Sequence, residues 1–186
     1  MKTGILLSTI IVALFSMNAH AQELPKTKKI LVAYFSRSGN TRLLAEQIQQ
    51  ATGGDIFEIQ VAKPYPEAYR DVTAQAKKEI EADYKPALKT GPEHPEQYDI
   101  LFVGSPCWWS TIAPPVASFL SEYGFSGKTV VPFMTHEGSR MGHSVEDIRK
   151  LCPEATVLEG LPVRGGAVKD AQAGVSEWLR RIGIVK

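Results

Sequence analysis

Ile30-Leu31-Val32-Ala33-Tyr34-Phe35, followed at once by Ser36-Arg37-Ser38-Gly39-Asn40-Thr41, is the stretch that decides the fold. A near-continuous apolar run of strand length fits a strand covered on both faces. The small, hydroxylated and turn-forming residues after it lead into a helix pattern of Leu43, Leu44, Ala45, Ile48 and Ala51. Backbone N–H groups of a helix N-terminus therefore face whatever occupies the turn. Three hydroxyls (Ser36, Ser38, Thr41) and Gly39 let several donors converge on an anion, and Arg37 can add charge. The alternative is an ordinary strand-to-helix turn in which Asn40 or Thr41 caps the helix, as these residues do in any protein. No G-x-x-x-x-G-K-[ST] or G-x-G-x-x-G motif is present, so a mononucleotide phosphate fits this loop better than a triphosphate or a dinucleotide.

Working outward, 186 residues with 44% hydrophobic content suit one domain with a sizeable core. The first residues read separately. Lys2 precedes an apolar run over 5–17, and Ala19-His20-Ala21 precedes polar Gln22 and Glu23. This is the pattern of a secretory signal peptide over 1–21, with a linker over 22–28 and the domain over 29–186. The run is shorter than the roughly 20 residues a membrane span needs. The expectation is thus an exported protein, periplasmic or secreted, with no membrane span in the mature chain. Cleavage after Ala21 would remove Lys2 and no acid, leaving acids and bases in equal number. A neutral surface argues against nucleic acid as partner. Two cysteines, Cys107 and Cys152, are too few for a disulfide framework.

After the linker, strands and helices alternate, as in a parallel sheet with helices on both faces. The first strand is expected over 29–35 and its helix over 40–51, stopped by Gly53-Gly54. A second strand over 55–61 alternates, which suits an edge. A helix over 67–83 and a proline-punctuated surface connection over 85–97 follow. The third strand, 100–104, is apolar throughout. Pro114 and Pro115 open a helix that runs to about 123. The fourth strand, 129–134, contains Pro132, awkward in a central strand because it lacks a ladder donor. A helix over 144–151, an alternating strand over 156–161 and a closing helix over 168–182 complete the chain. With the most apolar strands central and the alternating ones at the edges, the order is 2-1-3-4-5.

In such a sheet ligands sit beyond the carboxyl ends of the strands, so residues 36–41, 105–113 and 135–142 must converge. Trp108 and Trp109, beside prolines, serine and threonine, offer flat faces and an indole donor suited to stacking on an aromatic ring. They could equally plug the core or a partner interface.

Four motifs in this order carry a resemblance to a known family: Ser36-Arg37-Ser38-Gly39-Asn40-Thr41, Gly104-Ser105-Pro106-Cys107-Trp108-Trp109, Phe125-Ser126-Gly127-Lys128-Thr129, and Thr135-His136-Glu137-Gly138-Ser139. Over about 28–182 the chain resembles the flavodoxin family, and within it the subgroup with a tryptophan pair after the third strand. The order 2-1-3-4-5 is one for which flavodoxin itself is the standing example, with flavin mononucleotide (FMN) at the switch point between the first and third strands. The resemblance implies an α/β fold, a flavodoxin-like three-layer sandwich around a five-stranded parallel sheet. It implies non-covalent FMN, its phosphate held by Ser36, Ser38, Gly39, Asn40 and Thr41. Its ring would lie between Pro106, Cys107, Trp108 and Trp109 on one side and Thr135, His136, Glu137, Gly138 and Ser139 on the other. The family passes electrons between partners, so redox proteins or a small-molecule acceptor are the implied partners. Two departures stand out: the balanced charge, where such carriers are commonly acidic, and the export signal, where most are cytoplasmic.

His136 can titrate near neutrality and is a candidate for proton transfer, or else it shapes the loop with Glu137. No H-E-x-x-H or C-x-x-C spacing exists, so no metal is expected. Cys107 falls near the expected ring and Cys152 before the last strand, so no bond between them is expected. The same architecture hosts phosphatases and response regulators, which need residues absent here. Position 36 is serine where a small cysteine phosphatase needs cysteine, and Gly104-Ser105 stands where a receiver domain needs aspartate. The expectation is an exported FMN-binding electron-transfer protein. The alternatives are an FMN-dependent NAD(P)H quinone or flavin oxidoreductase and a non-redox flavin-binding module.

Overall fold

The computed structural model describes residues 28–186. The expected signal peptide and residues 22–27 of the linker lie outside the described residues. β1 (Ile30–Tyr34), β3 (Ile100–Trp108) and β5 (Thr129–His136) form the centre of a parallel sheet, with β2 (Asp55–Glu58) at one edge. The other edge is split into β6 (Thr156–Val157) and β7 (Leu161–Arg164), both parallel to β5. The order β2-β1-β3-β5-β6/β7 is the expected one. α1 (Asn40–Thr52), α3 (Pro114–Tyr123), α4 (Ser144–Leu151) and α5 (Gln172–Arg181) cover its two faces, and α2 (Tyr69–Glu81) lies beside α3.

Strand alternation sorts the core into two layers. Leu31, Ala33, Leu101 and Val103 point to the side of α3 and α4, meeting Val116, Phe119 and Ile148. Val32, Tyr34, Phe102 and Phe133 point to α1 and α5, meeting Leu44, Ile48, Val175 and Trp178. Burial on both faces is why β1 and β3 read as unbroken apolar runs. Gly104 is required by packing: a Cβ there would stand 2.2 Å from Cζ of Phe133. α1 ends at Gly53, whose left-handed φ of 68° lets its N–H reach the Gln49 carbonyl. Trp178 is buried, with its indole N–H on the Glu159 carbonyl at 3.1 Å.

Four expectations need correction. The second strand stops at Glu58, because β1 itself stops at Tyr34 and Ile59 N–H makes the last bond to it, at 2.7 Å. Beyond that, Val61 pairs antiparallel with Leu88, so the connection over 85–97 is partly ordered by backbone bonds. The third strand runs on through Trp108 and turns back as β4 (Thr111–Ile112), so the expected tryptophan loop is a β-hairpin. The last strand is broken rather than continuous over 156–161. Leu158 N–H bonds the Val130 carbonyl, and Pro132, two residues on and facing the same side, has no N–H to continue the ladder. The chain swings away there and rejoins β5 at Phe133 opposite Leu161. The closing helix begins at Gln172, preceded by a 3₁₀ segment, Gly165–Asp170.

Candidate functional site

The carboxyl ends of β1, β3 and β5 meet at a cleft of about 600 Å³. Arg37, Ser38 and Asn40 reach it from the first turn, Pro106 to Trp109 from the hairpin, and Thr135 to Ser139 from the end of β5. Of the residues singled out from the sequence, only Ser36, Gly39 and Thr41 do not line it. Ser36 lines an adjoining cleft, Gly39 forms the turn, and Thr41 is buried behind it.

At the first turn, Gly39 takes a φ of 89°, a left-handed conformation that favours glycine. Its N–H bonds Ser36 Oγ at 3.1 Å, so Ser36 closes the turn and keeps its own O–H to donate. Among the described residues α1 has no side-chain cap, and its ladder starts with Leu43 N–H on the Gly39 carbonyl at 3.0 Å. The amides of Asn40, Thr41 and Arg42 therefore have no acceptor within the helix. Neither Asn40 nor Thr41 caps the helix. Thr41 Oγ1 instead meets Thr135 Oγ1 at 2.8 Å in a buried bond that ties the turn to β5. Arg37 is drawn away from the helix end: it donates to the Glu67 carbonyl at 2.7 Å and lies 6.0 Å from the Tyr69 ring centroid. An anion at this turn would thus rest on backbone amides and hydroxyls more than on Arg37.

The two tryptophans have parted roles. Trp108 packs edge-on against Phe35 and Tyr65, with centroids 5.5 and 5.3 Å away, so it wedges the cleft wall into the core. Trp109 is 52% exposed at the hairpin tip. It and Ser110 have φ of 49° and 64°, the pair of positive values a two-residue hairpin turn demands and non-glycine residues resist. The turn is clamped from behind: the Ser110 carbonyl accepts from His143 N–H at 2.8 Å, and a Cβ on Gly142 would stand 2.0 Å from that oxygen. Asp147 takes hydrogen bonds from Thr111 at 2.7 Å and His143 at 2.5 Å. Trp109 donates its indole N–H to the Thr73 carbonyl at 3.1 Å, beneath Lys77 Nζ 5.2 Å from its ring centroid.

Sequence reasoning missed α2 as a wall of the site: Tyr69, Val72, Thr73 and Ala76 line the cleft. The signal was the i, i+4 spacing of Val72 and Ala76 in a helix rich in charged residues. Gly165, also missed, lines the cleft where a Cβ would stand 2.5 Å from Glu137 Oε1 and 2.7 Å from Asn40 Nδ2. Glu137 pairs at 3.8 Å with Arg164 on the rim. Burial and nearby Arg140 push the His136 imidazole below its ordinary pKa, with Glu137 opposing. Cys107 lines the cleft as a free thiol. Cys152 is buried, which pushes its thiol up to about 11.

A family model described as flavodoxin matches residues 29–182. Among solved structures, a candidate flavoprotein from Bacteroides eggerthii is 34% identical, with 86% of this chain and 100% of that chain covered at a TM-score of 0.72. One from Bacteroides uniformis is 30% identical over 83% of this chain and 99% of that chain, with a TM-score of 0.73. A Lactobacillus acidophilus flavoprotein in complex with FMN is 23% identical over 79% of this chain and 99% of that chain, at a TM-score of 0.65, a likeness of fold. No curated protein matches the chain.

Proposed function

The chain belongs to the flavodoxin family, and from that premise we propose that it binds FMN in this cleft and acts as an electron-transfer protein outside the cytoplasm. One observation carries the reading: an uncapped helix N-terminus and flat aromatic side chains open into the same cleft of about 600 Å³. That volume falls within the roughly 300–1,000 Å³ of small-molecule sites. The amides of Asn40, Thr41 and Arg42 with the hydroxyls of Ser36 and Ser38 suit the phosphate, and Asn40 can add its side-chain amide. Trp109, Tyr69, Val72 and Ala76 supply apolar wall for the ring, and Trp108 backs that wall from the core. Glu137, Gly138 and Ser139 line the same cleft from the end of β5.

Bound FMN supplies reversible electron transfer, and the chain tunes it through stacking, nearby charge and hydrogen bonds. These residues would hold the phosphate end by fixed amides and the ring against apolar side chains. Export rests on Lys2, the apolar run over 5–17 and Ala19-His20-Ala21.

A second reading, an FMN-dependent NAD(P)H quinone or flavin oxidoreductase, draws support from His136, a titratable group on the cleft wall. Anaerobic mixing of the FMN-loaded protein with NADH or NADPH, followed at the flavin absorption band, separates the two. No bleaching over minutes, with full reduction by dithionite through a one-electron stage, supports the carrier. Bleaching within seconds by either nucleotide alone overturns it in favour of the oxidoreductase.

A further inference from the structure

On the β2 side of β1 lies a second cleft, of about 580 Å³, also within the roughly 300–1,000 Å³ of small-molecule sites. It is separate from the first. Phe35 and Tyr65 line it, Trp108 lines the other, and these three rings pack together in the wall between the two, with Trp108 edge-on at 5.5 and 5.3 Å. Of the described residues, Arg37 alone lines both.

The second cleft has an apolar floor that is held in place. Ile59, Phe35 and the Tyr65 ring form it, and Pro64 and Pro66 restrict the backbone on either side of Tyr65. The Tyr65 hydroxyl donates to Glu79 Oε2 at 2.5 Å, and buried Glu79 accepts a second bond from Gln75 Nε2 at 2.8 Å. Burial and the Glu79 carboxylate hold this phenol protonated, well above its ordinary pKa, so the ring is a neutral surface. Residues 60–62 form the outer wall. The Val61–Leu88 bridge, Ala62 N–H on the Ala87 carbonyl and Lys89 N–H on the Gln60 carbonyl, both at 2.8 Å, hold that wall. A cleft whose walls are already bonded loses little freedom when it is filled. Its charge is lopsided. Arg37, Lys89, Glu58 and Glu67 line it, and Glu58 is neutralised by Arg42 at 2.6 Å. Arg37 donates to a neutral carbonyl, that of Glu67, and Lys89 Nζ has no partner among the described residues, so Glu67 is the one acid left against two cations. That balance favours an anion, and the aromatic floor favours a flat ring.

We propose that this second cleft binds a flat aromatic anion, its ring on Phe35 and Tyr65 and its carboxylate or sulfonate toward Arg37 and Lys89. The site does not rest on the FMN reading. Because Trp108 backs Phe35 and Tyr65, a molecule bound here lies one aromatic layer from the first cleft.

Backbone amide NMR of the purified protein titrated with 2-naphthoate tests this, with the cationic 2-naphthylmethylamine as its counterpart and each titration run without and with excess FMN. The expected result is saturable shifts centred on residues 59–62, 65 and 89, unaffected by FMN. The naphthoate Kd should lie below about 1 mM and at least about fivefold below that of the amine. Lys89→Glu changes an exposed side chain, so the melt should stay as in the wild type while naphthoate binds about tenfold more weakly. No saturable shift up to about 5 mM, equal Kd for the two probes, or an unmoved Kd in Lys89→Glu overturns the proposal. Shifts centred on residues 106–109 and 136–139 that FMN abolishes put the probe in the first cleft and overturn it as well. A protein that takes up no FMN overturns the FMN reading alone, and the map of shifted amides still decides the second cleft.

Discussion

Removing one hydroxyl from the Thr41–Thr135 pair should cost stability, and removing both should restore much of it. The two Oγ1 atoms lie 2.8 Å apart, and the residues are only 1% and 5% exposed, so water poorly replaces a lost partner. Thr41→Val keeps the shape and leaves the Thr135 hydroxyl unpaired, a loss of about 1–3 kcal/mol. With a urea m-value of about 2 kcal/mol/M, that is a midpoint shift of about 0.5–1.5 M. Thr135→Val should cost a similar amount. In the double variant both partners are apolar, and the midpoint should return to within about 0.5 M of wild type, giving a coupling of at least about 1 kcal/mol. Because Thr135 lines the cleft, the restored double variant should still bind FMN about three- to tenfold more weakly. Urea unfolding and FMN titration of the four proteins decide it. Single variants with unshifted midpoints, or a double variant that loses the full sum of the singles, would refute the account of this bond as the tie between the first turn and β5.

Gly104→Ala forces a Cβ to within 2.2 Å of the Phe133 ring in the buried sheet, and a thermal melt should show a loss of about 1–3 kcal/mol or more; an unchanged Tm counts against the packing. Trp109→Phe keeps an aromatic wall but removes the indole donor to the Thr73 carbonyl. Amide exchange in α2 should then accelerate about five- to tenfold with the rest of the chain unaltered, and uniform exchange would dismiss the contact as a brace. Burial works to raise the Asp147 pKa, but hydrogen bonds from Lys150, Thr111 and His143 outweigh it and hold the carboxyl below its ordinary 3.8. A depressed carboxylate stabilises the fold above the unfolded value and loses that contribution as pH falls through the folded one. Urea midpoints at pH 5 and pH 3 should therefore fall further apart for the wild type than for Asp147→Asn. Parallel lines for the two would remove Asp147 from the account.

The sheet order was legible because burial writes itself into composition: strands covered on both faces have nowhere to hide a polar residue, and edge strands alternate. α1 and α3 were legible through Gly53, Pro114 and Pro115, where local geometry admits few other residues. The hairpin at Trp109-Ser110 was not, because the usual signal for two positive φ values is Asn-Gly, and here Gly142 and the His143 amide hold the turn by long-range contacts. The split last strand could be half-read. Pro132 announced a missing ladder bond, but only the paired structure shows that the neighbouring strand, not β5, gives way. At the site, the first turn and the end of β5 were visible as motifs. Tyr69, Thr73 and Gly165 were not, since α2 reaches the cleft by packing across a connection whose sequence reads simply as a solvated helix.

The most direct test of the central claim is a paired fluorescence titration of the purified protein with FMN and with riboflavin. If the free amides of α1 and the hydroxyls of Ser36 and Ser38 hold a phosphate, FMN should bind with at least about 100-fold lower Kd than riboflavin, which lacks it. Equal affinity for the two, or uptake of neither, would contradict the account.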